Sequence, residues 1–398
     1  MSAPPTPVPS PSAYLDCAAT TPMRPEAVEA MLPFLRDRFA NPSGSHRFAR
    51  DARRAVDEAR DVVAEVVGCG PHEVVFTGCG TESDNAAVLG AVRRGSGVAV
   101  CSAIEHPAVS EPVALTGGRV VGVDRLGRVD LDELGATLAE LRAGPGVAVV
   151  SVMAVNNEVG TINDLAAVSD VVHRLAPEAL VHTDAVQAAC WLDLREITPH
   201  VDLLSLSAHK FGGPKGVGVL VERGTPRVEP LIIGGGQERE RRSGTHNTAG
   251  IAAAATALAL VDAERDVDRV RIGALRDELV AGLRQRIDGL VETIPPAHKV
   301  AGSAHVCIPG VESEALLFLI DERGVSASAA SACASGAMEP SHVLAALGID
   351  RSLAAGALRL TLGHETTRAE VETAIEAIDA AVGQLRRHAS AAAPGGAS

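Results

Sequence analysis

Aromatic residues make up only 2% of this 398-residue chain. The core must therefore be built from Ala, Val, Leu and Ile, and base-stacking platforms for nucleic acid are scarce. An excess of positive charge is missing too. With 36 basic and 50 acidic residues the formal net charge is −14, which argues against a bulk electrostatic DNA or RNA binder. The seven cysteines stand at 17, 69, 79, 101, 190, 307 and 333. None forms a CxxC pair and the number is odd, so neither a disulfide framework nor a zinc site is implied. The pattern fits a reducing cytoplasm with one thiol set apart. Long apolar runs are also lacking. The longest, "IAAAATALALV", is about half of the roughly 20 residues a membrane-spanning helix needs. The start, "MSAPPTPVPSPSAY", has no basic region followed by an apolar run and is not read as a signal peptide. A soluble cytoplasmic protein is expected.

What is present is ordered. Residues 1–12, rich in Pro and Ser, and the tail 389–398 are expected to be disordered. Between them Val-rich strands ("EVVFTG", "VAVCS", "RVVGV", "VAVVSVM", "LVHTD", "DLLSLS", "GVGVLV") alternate with helical patterns beginning near Glu82, Asp130 and Asp164. This alternation predicts an α/β fold with a large, mostly parallel sheet covered by helices on both faces. After about residue 248 an Ala-rich helix leads into a charged one, and a smaller α+β domain follows. The expected division is a large domain over 26–263 and a small domain from 13–25 plus 264–388. Such sheets bind ligands beyond the C-terminal ends of their strands.

The chemistry-bearing stretches fall at such ends. In "FTGCGTESDN", Gly78 and Gly80 permit a tight turn and Thr81 opens a helix. Free N–H groups there could cradle a phosphate, although an ordinary capped helix start would look the same. In "LVHTDAVQ", Asp184 ends a strand and Gln187 follows; the carboxylate could hold a protonated ring nitrogen or cap a helix. In "SLSAHKFGGPKGVG", Ser207 and His209 are phosphate-capable donors and Lys210 is a candidate reactive amine. Lys215 suits the role of a surface lysine better. His106, in "SAIEHPAV", follows a strand and precedes a proline; it is a stacking candidate or a capped histidine. Cys333, between Ser331 and Ser335, lies among small polar residues rather than an apolar run, which hints at exposure and reactivity. Taken together, a phosphate cradle, an acid for a ring nitrogen, an amine for an aldehyde and a flat-faced histidine are what pyridoxal 5'-phosphate requires.

At this point the sequence resembles the cysteine desulfurases of the class V aminotransferase fold family. The resemblance runs from "YLDCAATTPM" (14–23) through "NPSGSHRFAR", "TESDNAAV", "EHPAV", "VNNEVGTI", "HTDAVQ", "SAHKFGGPKGVG", "GGGQERERRSGTHN" and "SACASGAMEPSHVL" to "LRLTLGHETT" (358–367). The long "SAC" segment resembles the group serving iron–sulfur assembly and tRNA thiolation. The resemblance implies a fold type I pyridoxal-phosphate enzyme. It implies that Lys210 holds the cofactor's aldehyde, Asp184 pairs with its ring nitrogen, Gln187 bonds its ring oxygen and His106 stacks on the ring. Gly80, Thr81, Ser207 and His209 are implied to hold the phosphate. Thr245 is expected to reach it from the partner subunit of a homodimer. Asn157 and Arg359 are implied to bind the carboxylate of the substrate, L-cysteine. Cys333 is implied to take the substrate's sulfur as a persulfide and pass it to an acceptor protein. Departures from the family's pattern are Gly80 where alanine is common, Cys79 where glycine is common, and Ala330 where a glycine is usual; the last bears on how freely the cysteine segment moves. The competing readings are a selenocysteine lyase or cysteine-sulfinate lyase with the same cofactor, a plain aminotransferase, and a non-catalytic sulfur-carrier docking protein. Cys333 speaks against the first three, and the intact Lys210, Asp184 and His106 set against the last.

Overall fold

The computed structural model describes residues 12–224, 227–329 and 341–392. The expectations for residues 1–11 and 393–398, and those for Ala330 and Cys333, lie outside the described residues. Each Val-rich stretch is a strand. In chain order the strands are β1 (Ala13–Tyr14), β2 (Val74–Thr77), β3 (Val98–Ser102), β4 (Arg119–Val121), β5 (Val147–Ser151), β6 (Leu180–Asp184), β7 (Leu203–Ser207), β8 (Gly218–Glu222), β9 (Val291–Glu292), β10 (Ser303–Cys307), β11 (Val325–Ser326) and β12 (Ala357–Thr361). The helices are α1 (Pro25–Arg36), α2 (Arg47–Val67), α3 (Gly80–Arg94), α4 (Pro107–Leu115), α5 (Leu131–Arg142), α6 (Leu165–Leu175), α7 (Leu194–Ile197), α8 (Thr248–Arg286), α9 (Ser313–Asp321), α10 (His342–Ala346), α11 (Arg351–Ala354) and α12 (Arg368–Ala392).

Strands β2 to β8 form one sheet in the order β2-β8-β7-β6-β5-β3-β4. Only β8 runs against its neighbours; β7, β6, β5, β3 and β4 pair in parallel. Their burial explains their composition. Strands β2, β5, β6, β7 and β8 are buried along all or nearly all of their length, so both faces need apolar or small side chains. The helix starts follow the local chemistry. Asp130 caps α5 by accepting from the N–H groups of Asp132 and Glu133, and Asp164 caps α6 by accepting from Ala167. Gly68 closes α2 in the left-handed conformation (φ 80°) that glycine adopts without strain.

The Ala-rich and charged stretches after residue 248 are one helix, not two. Helix α8 runs 39 residues, about 58 Å at 1.5 Å per residue. Its first half packs into the core beneath the large sheet through Ile251, Ala254 and Leu258. Its second half, through Ile272, Leu279 and Leu283, joins a separate cluster formed by β10, β12, α9 and α12. That cluster also takes in Ala13 and Leu15, because β1 pairs in parallel with β11. The second sheet is antiparallel, in the order β12-β10-β9. No helix among the described residues is long and apolar enough to cross a membrane.

Candidate active site

The C-terminal ends of β2, β3, β6 and β7 deliver the candidate residues to one region. Lys210 closes the single turn that follows β7. Its Nζ donates to the carbonyl oxygens of Ala18 (2.5 Å) and Ala19 (2.8 Å). Burial, reinforced by the nearby Arg359 guanidinium, pulls its pKa down to about 8. An amine in that range is neutral, and so able to act as a nucleophile or base, in about a tenth of molecules at pH 7, far more than an exposed lysine offers. Lys215, by contrast, is exposed.

Asp184 ends β6 and is buried, with Oδ1 accepting from the Val186 N–H at 2.8 Å. Burial pushes its pKa up, and His106 and Lys210 pull against that shift. A buried carboxylate in this position calls for a positive partner. His106 caps α4: its Nδ1 accepts from Ala108 N–H at 3.1 Å, which leaves the proton of the neutral ring on Nε2. Burial lowers its pKa and favours that neutral form. Gln187 donates from Nε2 to the Ala18 carbonyl at 2.8 Å, the same oxygen that accepts from Lys210.

Helix α3 starts without a side-chain cap. The Gly80 N–H donates to Ser207 Oγ at 3.3 Å, which joins the two arms of the expected phosphate cradle. Thr81, next in the helix, is exposed. Glycine at 80 has a steric reason: a Cβ there would stand 2.9 Å from Val186 Cγ2 and 3.1 Å from Ser207 Cβ. His209 pairs through Nδ1 with Thr20 Oγ1 at 3.2 Å, and burial beside Lys210 lowers its pKa to about 4.

Arg359, on β12, comes from the second sheet. Its Nη1 donates to the backbone oxygen of Asn157 (3.0 Å) and its Nη2 to Asp16 Oδ1 (2.8 Å), while its buried Nε has no partner among the described residues. Asn157 thus meets Arg359 through its backbone. Thr245 sits exposed in the loop before α8. That loop is pinned by Glu238, which accepts from both Nη atoms of Arg60 at 2.7 Å and from His246 at 2.7 Å. Glu238, Arg239 and Glu240 all adopt positive φ (49°, 56° and 67°), a conformation that costs energy for residues with side chains. Its far end ties to the start of α3 through Arg242 and Glu82 (2.8 Å).

A cavity adjoins Lys210 and is lined by Cys17, Asn157, Gln187, Cys190 and Trp191, but not by Thr81, His106 or Asp184. It is a neighbouring space rather than the place where the phosphate and ring groups converge. Burial pushes the Cys17, Cys69 and Cys190 thiols up to about 12 and raises Cys101 and Cys307 as well. These stay protonated and are poor nucleophiles. Three site contributors were missed in the sequence: the carbonyls of Ala18 and Ala19, and Asp16 on Arg359. The motif "YLDCAATT" marked the stretch that holds all three, but a backbone carbonyl has no signature of its own.

The profile of the Aminotransferase class-V family matches residues 13–373. The chain belongs to the class-V aminotransferase family. Among its curated relatives, the IscS-like cysteine desulfurase of Mycobacterium tuberculosis is 41% identical, covering 96% of this chain and 99% of the relative. Cysteine desulfurase IscS of Dictyoglomus turgidum is 38% identical, over 94% of this chain and 95% of its own. Among solved structures, a NifS-like protein superposes with a TM-score of 0.86 at 34% identity, covering 94% of this chain and 99% of that one. SspA in complex with cysteine gives 0.74 at 28% identity, over 89% of this chain and 100% of that one. Class-V aminotransferases are pyridoxal-phosphate dependent, and this class-V chain fits that cofactor. The uncapped α3 start offers N–H groups to a phosphate. Asp184 is a buried acid with no ion-pair partner among the described residues, and Lys210 is an amine with its pKa pulled down to about 8.

Proposed function

We propose that this protein is a pyridoxal-phosphate-dependent cysteine desulfurase. It converts L-cysteine to L-alanine, takes the sulfur on Cys333 as a persulfide and passes it to an acceptor protein. The observation that carries this reading is the placement of Lys210, Asp184 and His106 at or just beyond the ends of parallel strands of one sheet, close enough for their charges to act on one another. The relatives named cysteine desulfurase, alike along almost the whole chain, support it.

The bound cofactor supplies an electron sink for the carbanion at the substrate Cα. The chain's own residues do the rest. Lys210 holds the cofactor's aldehyde and then moves the Cα proton, for which its lowered pKa suits it. Asp184 pairs with the ring nitrogen and keeps it protonated. His106, with its proton on Nε2, would stack on the ring, and Gln187 would bond the ring oxygen. Gly80, Thr81, Ser207 and His209 hold the phosphate. Arg359, through its free Nε–H, and Asn157 bind the substrate carboxylate. The protein works as a homodimer in which the partner subunit's Thr245 reaches the phosphate. The exposure of Thr245 and the pinning of its loop support that role. The chain divides into a large unit, 26–263, and a small unit, 13–25 with 264–388; the separation of the cluster around β10, β12, α9 and α12 from the core beneath the large sheet supports the division. The acceptor is an iron–sulfur scaffold, a tRNA-thiolating enzyme or a component of another sulfur biosynthetic pathway, and the site of action is the cytoplasm.

The test is product analysis. With L-cysteine and a thiol reductant, the holoenzyme should release alanine and sulfide in equal amounts. Sulfite with alanine from cysteine sulfinate, and no alanine from cysteine, would point to the lyase reading instead.

A further inference from the structure

His106 hangs from a peptide that is gripped from outside its own loop. The carbonyl of that peptide belongs to Glu105, and it accepts from His342 Nε2 at 3.0 Å. Since a carbonyl only accepts, the His342 ring carries a proton on Nε2. The preceding carbonyl, of Ile104, accepts from Asn156 Nδ2 at 2.9 Å. The Glu105 side chain ties the same loop to two strand ends. Its Oε1 accepts from the Ser102 hydroxyl (2.6 Å), at the end of β3, and from the Met153 N–H (2.9 Å), just beyond β5. Glu105 is only 1% exposed, so slackening the loop there would strand a desolvated group.

His342 comes from a different part of the chain, on α10, 237 positions beyond Glu105. Its own placement is fixed twice. Ser341 caps α10 by accepting from the Val343 and Leu344 N–H groups, and its hydroxyl donates to Glu158 Oε2. Val343 and Leu344 are buried in one apolar cluster with Ile104 and Met153, the residues beside and bonded to Glu105. The His342 side chain itself is exposed, so what it contributes is the bond to the Glu105 carbonyl rather than core packing. On the other side, the His106 ring is held by its Nδ1, which accepts from the Ala108 N–H at 3.1 Å. Burial lowers the His106 pKa, and a positive charge on His342 acts in the same direction, as expected of neighbouring rings.

Resting on the reading in which His106 stacks on the cofactor ring, we propose that His342 is a positioning residue for His106. Its bond fixes the plane of the Glu105–His106 peptide, and with it the direction in which the His106 ring leaves the backbone. Helix α10 thereby sets a residue delivered by the large sheet. With the bond gone the peptide is free to turn, and the ring leaves the angle at which it covers the cofactor. A single neutral hydrogen bond is worth a modest factor, so the effect is graded rather than total. His342 acts through His106 alone, so without the His106 ring its removal has nothing to disturb.

The experiment compares holoenzymes of wild type, His342→Ala, His342→Phe and His342→Gln, each also in a His106→Ala background. Two properties of the bound cofactor are read without substrate: its visible circular dichroism and its rate of release after free cofactor is removed. His342→Ala should alter the circular dichroism band and release the cofactor about fivefold faster, the factor expected for one neutral hydrogen bond. His342→Phe, which fills the space without a donor, should behave alike and keeps the test open if the alanine variant does not fold. His342→Gln, whose amide N–H can reach the same carbonyl, should stay within about twofold of wild type. In the His106→Ala background none of the His342 changes should move either property further. Wild-type values in His342→Ala and His342→Phe, no rescue by glutamine, or an undiminished effect without His106 would each overturn the proposal. If His106→Ala alone left both properties unchanged, the stacking role of His106 would fail, and the proposal with it.

Discussion

Lys210 has two jobs that pull in opposite directions: it must be held in place, and its amine must be free to react. The carbonyls of Ala18 and Ala19 hold the Nζ, and burial with Arg359 nearby lowers its pKa to about 8. Because a lysine reacts with an aldehyde only when neutral, cofactor uptake by the apoprotein should rise with pH through a midpoint near 8. A free lysine would place that midpoint above 10. Stopped-flow absorbance across a pH series measures it. Borohydride reduction should then fix the cofactor to the peptide containing Lys210, and Lys215→Ala should change neither result. Asp184 makes a second residue-scale prediction. Asp184→Asn should still bind the cofactor, since the phosphate groups are untouched, but should turn over at least about a hundredfold more slowly. Near-normal turnover would reduce Asp184 to a turn-capping residue on Val186.

At the scale of elements, much was legible and some was not. Most strands of the large sheet could be read because a strand buried on both faces must be an unbroken run of Val, Leu and small residues; β4, largely exposed, was readable only from its two valines. Asp130 and Asp164 were readable as helix starts because a cap is a local device. Helix α8 was divided in two on its change from apolar to charged. That change marks passage from one core to another, and no proline or glycine stands between Ile251 and Ile272 to stop the helix. The 234–247 loop was read for Thr245 alone. Its anchor, Glu238, could not be foreseen, since Arg60 lies 178 positions away. Burial opposes ionisation of Glu238, but His246, Arg60 and the Phe76 N–H overcome it and pull its pKa down to about 2. Its folded pKa thus lies below the ordinary 4.5. The stability it contributes is present above about 4.5 and is lost as pH falls toward 2. Glu238→Gln leaves Arg60 buried without its anion and should cost about 3–5 kcal/mol. Urea unfolding at pH 7 and pH 3 checks both statements: the gap between wild type and variant should shrink at the lower pH.

At the scale of the whole molecule, the site draws on distant parts of the chain. Lys210 and Asp184 come from the large sheet, Arg359 from the small one, and Ala18 from the N-terminal segment. The sequence showed which side chains were suited to the chemistry; which backbone oxygens hold them depends on how the two sheets meet. The proposed homodimer extends this sharing across subunits. Mixing an inactive Lys210→Ala chain with an inactive chain altered at both Arg242 and Thr245 should restore part of the activity, because heterodimers would contain one intact site. Full activity in a monomer, established by sedimentation, would contradict that arrangement.

The central claim is that sulfur leaves cysteine for Cys333. Brief reaction of the holoenzyme with L-cysteine, followed by alkylation and peptide mass spectrometry, tests it most directly. The account predicts an added sulfur atom on the Cys333 peptide and none on the peptides of Cys17, Cys69, Cys101, Cys190 and Cys307, whose buried thiols stay protonated. Cys333→Ala should still exchange the Cα proton of cysteine but release no alanine. A sulfur adduct on Cys79 with none on Cys333, or alanine release undiminished in Cys333→Ala, would contradict it.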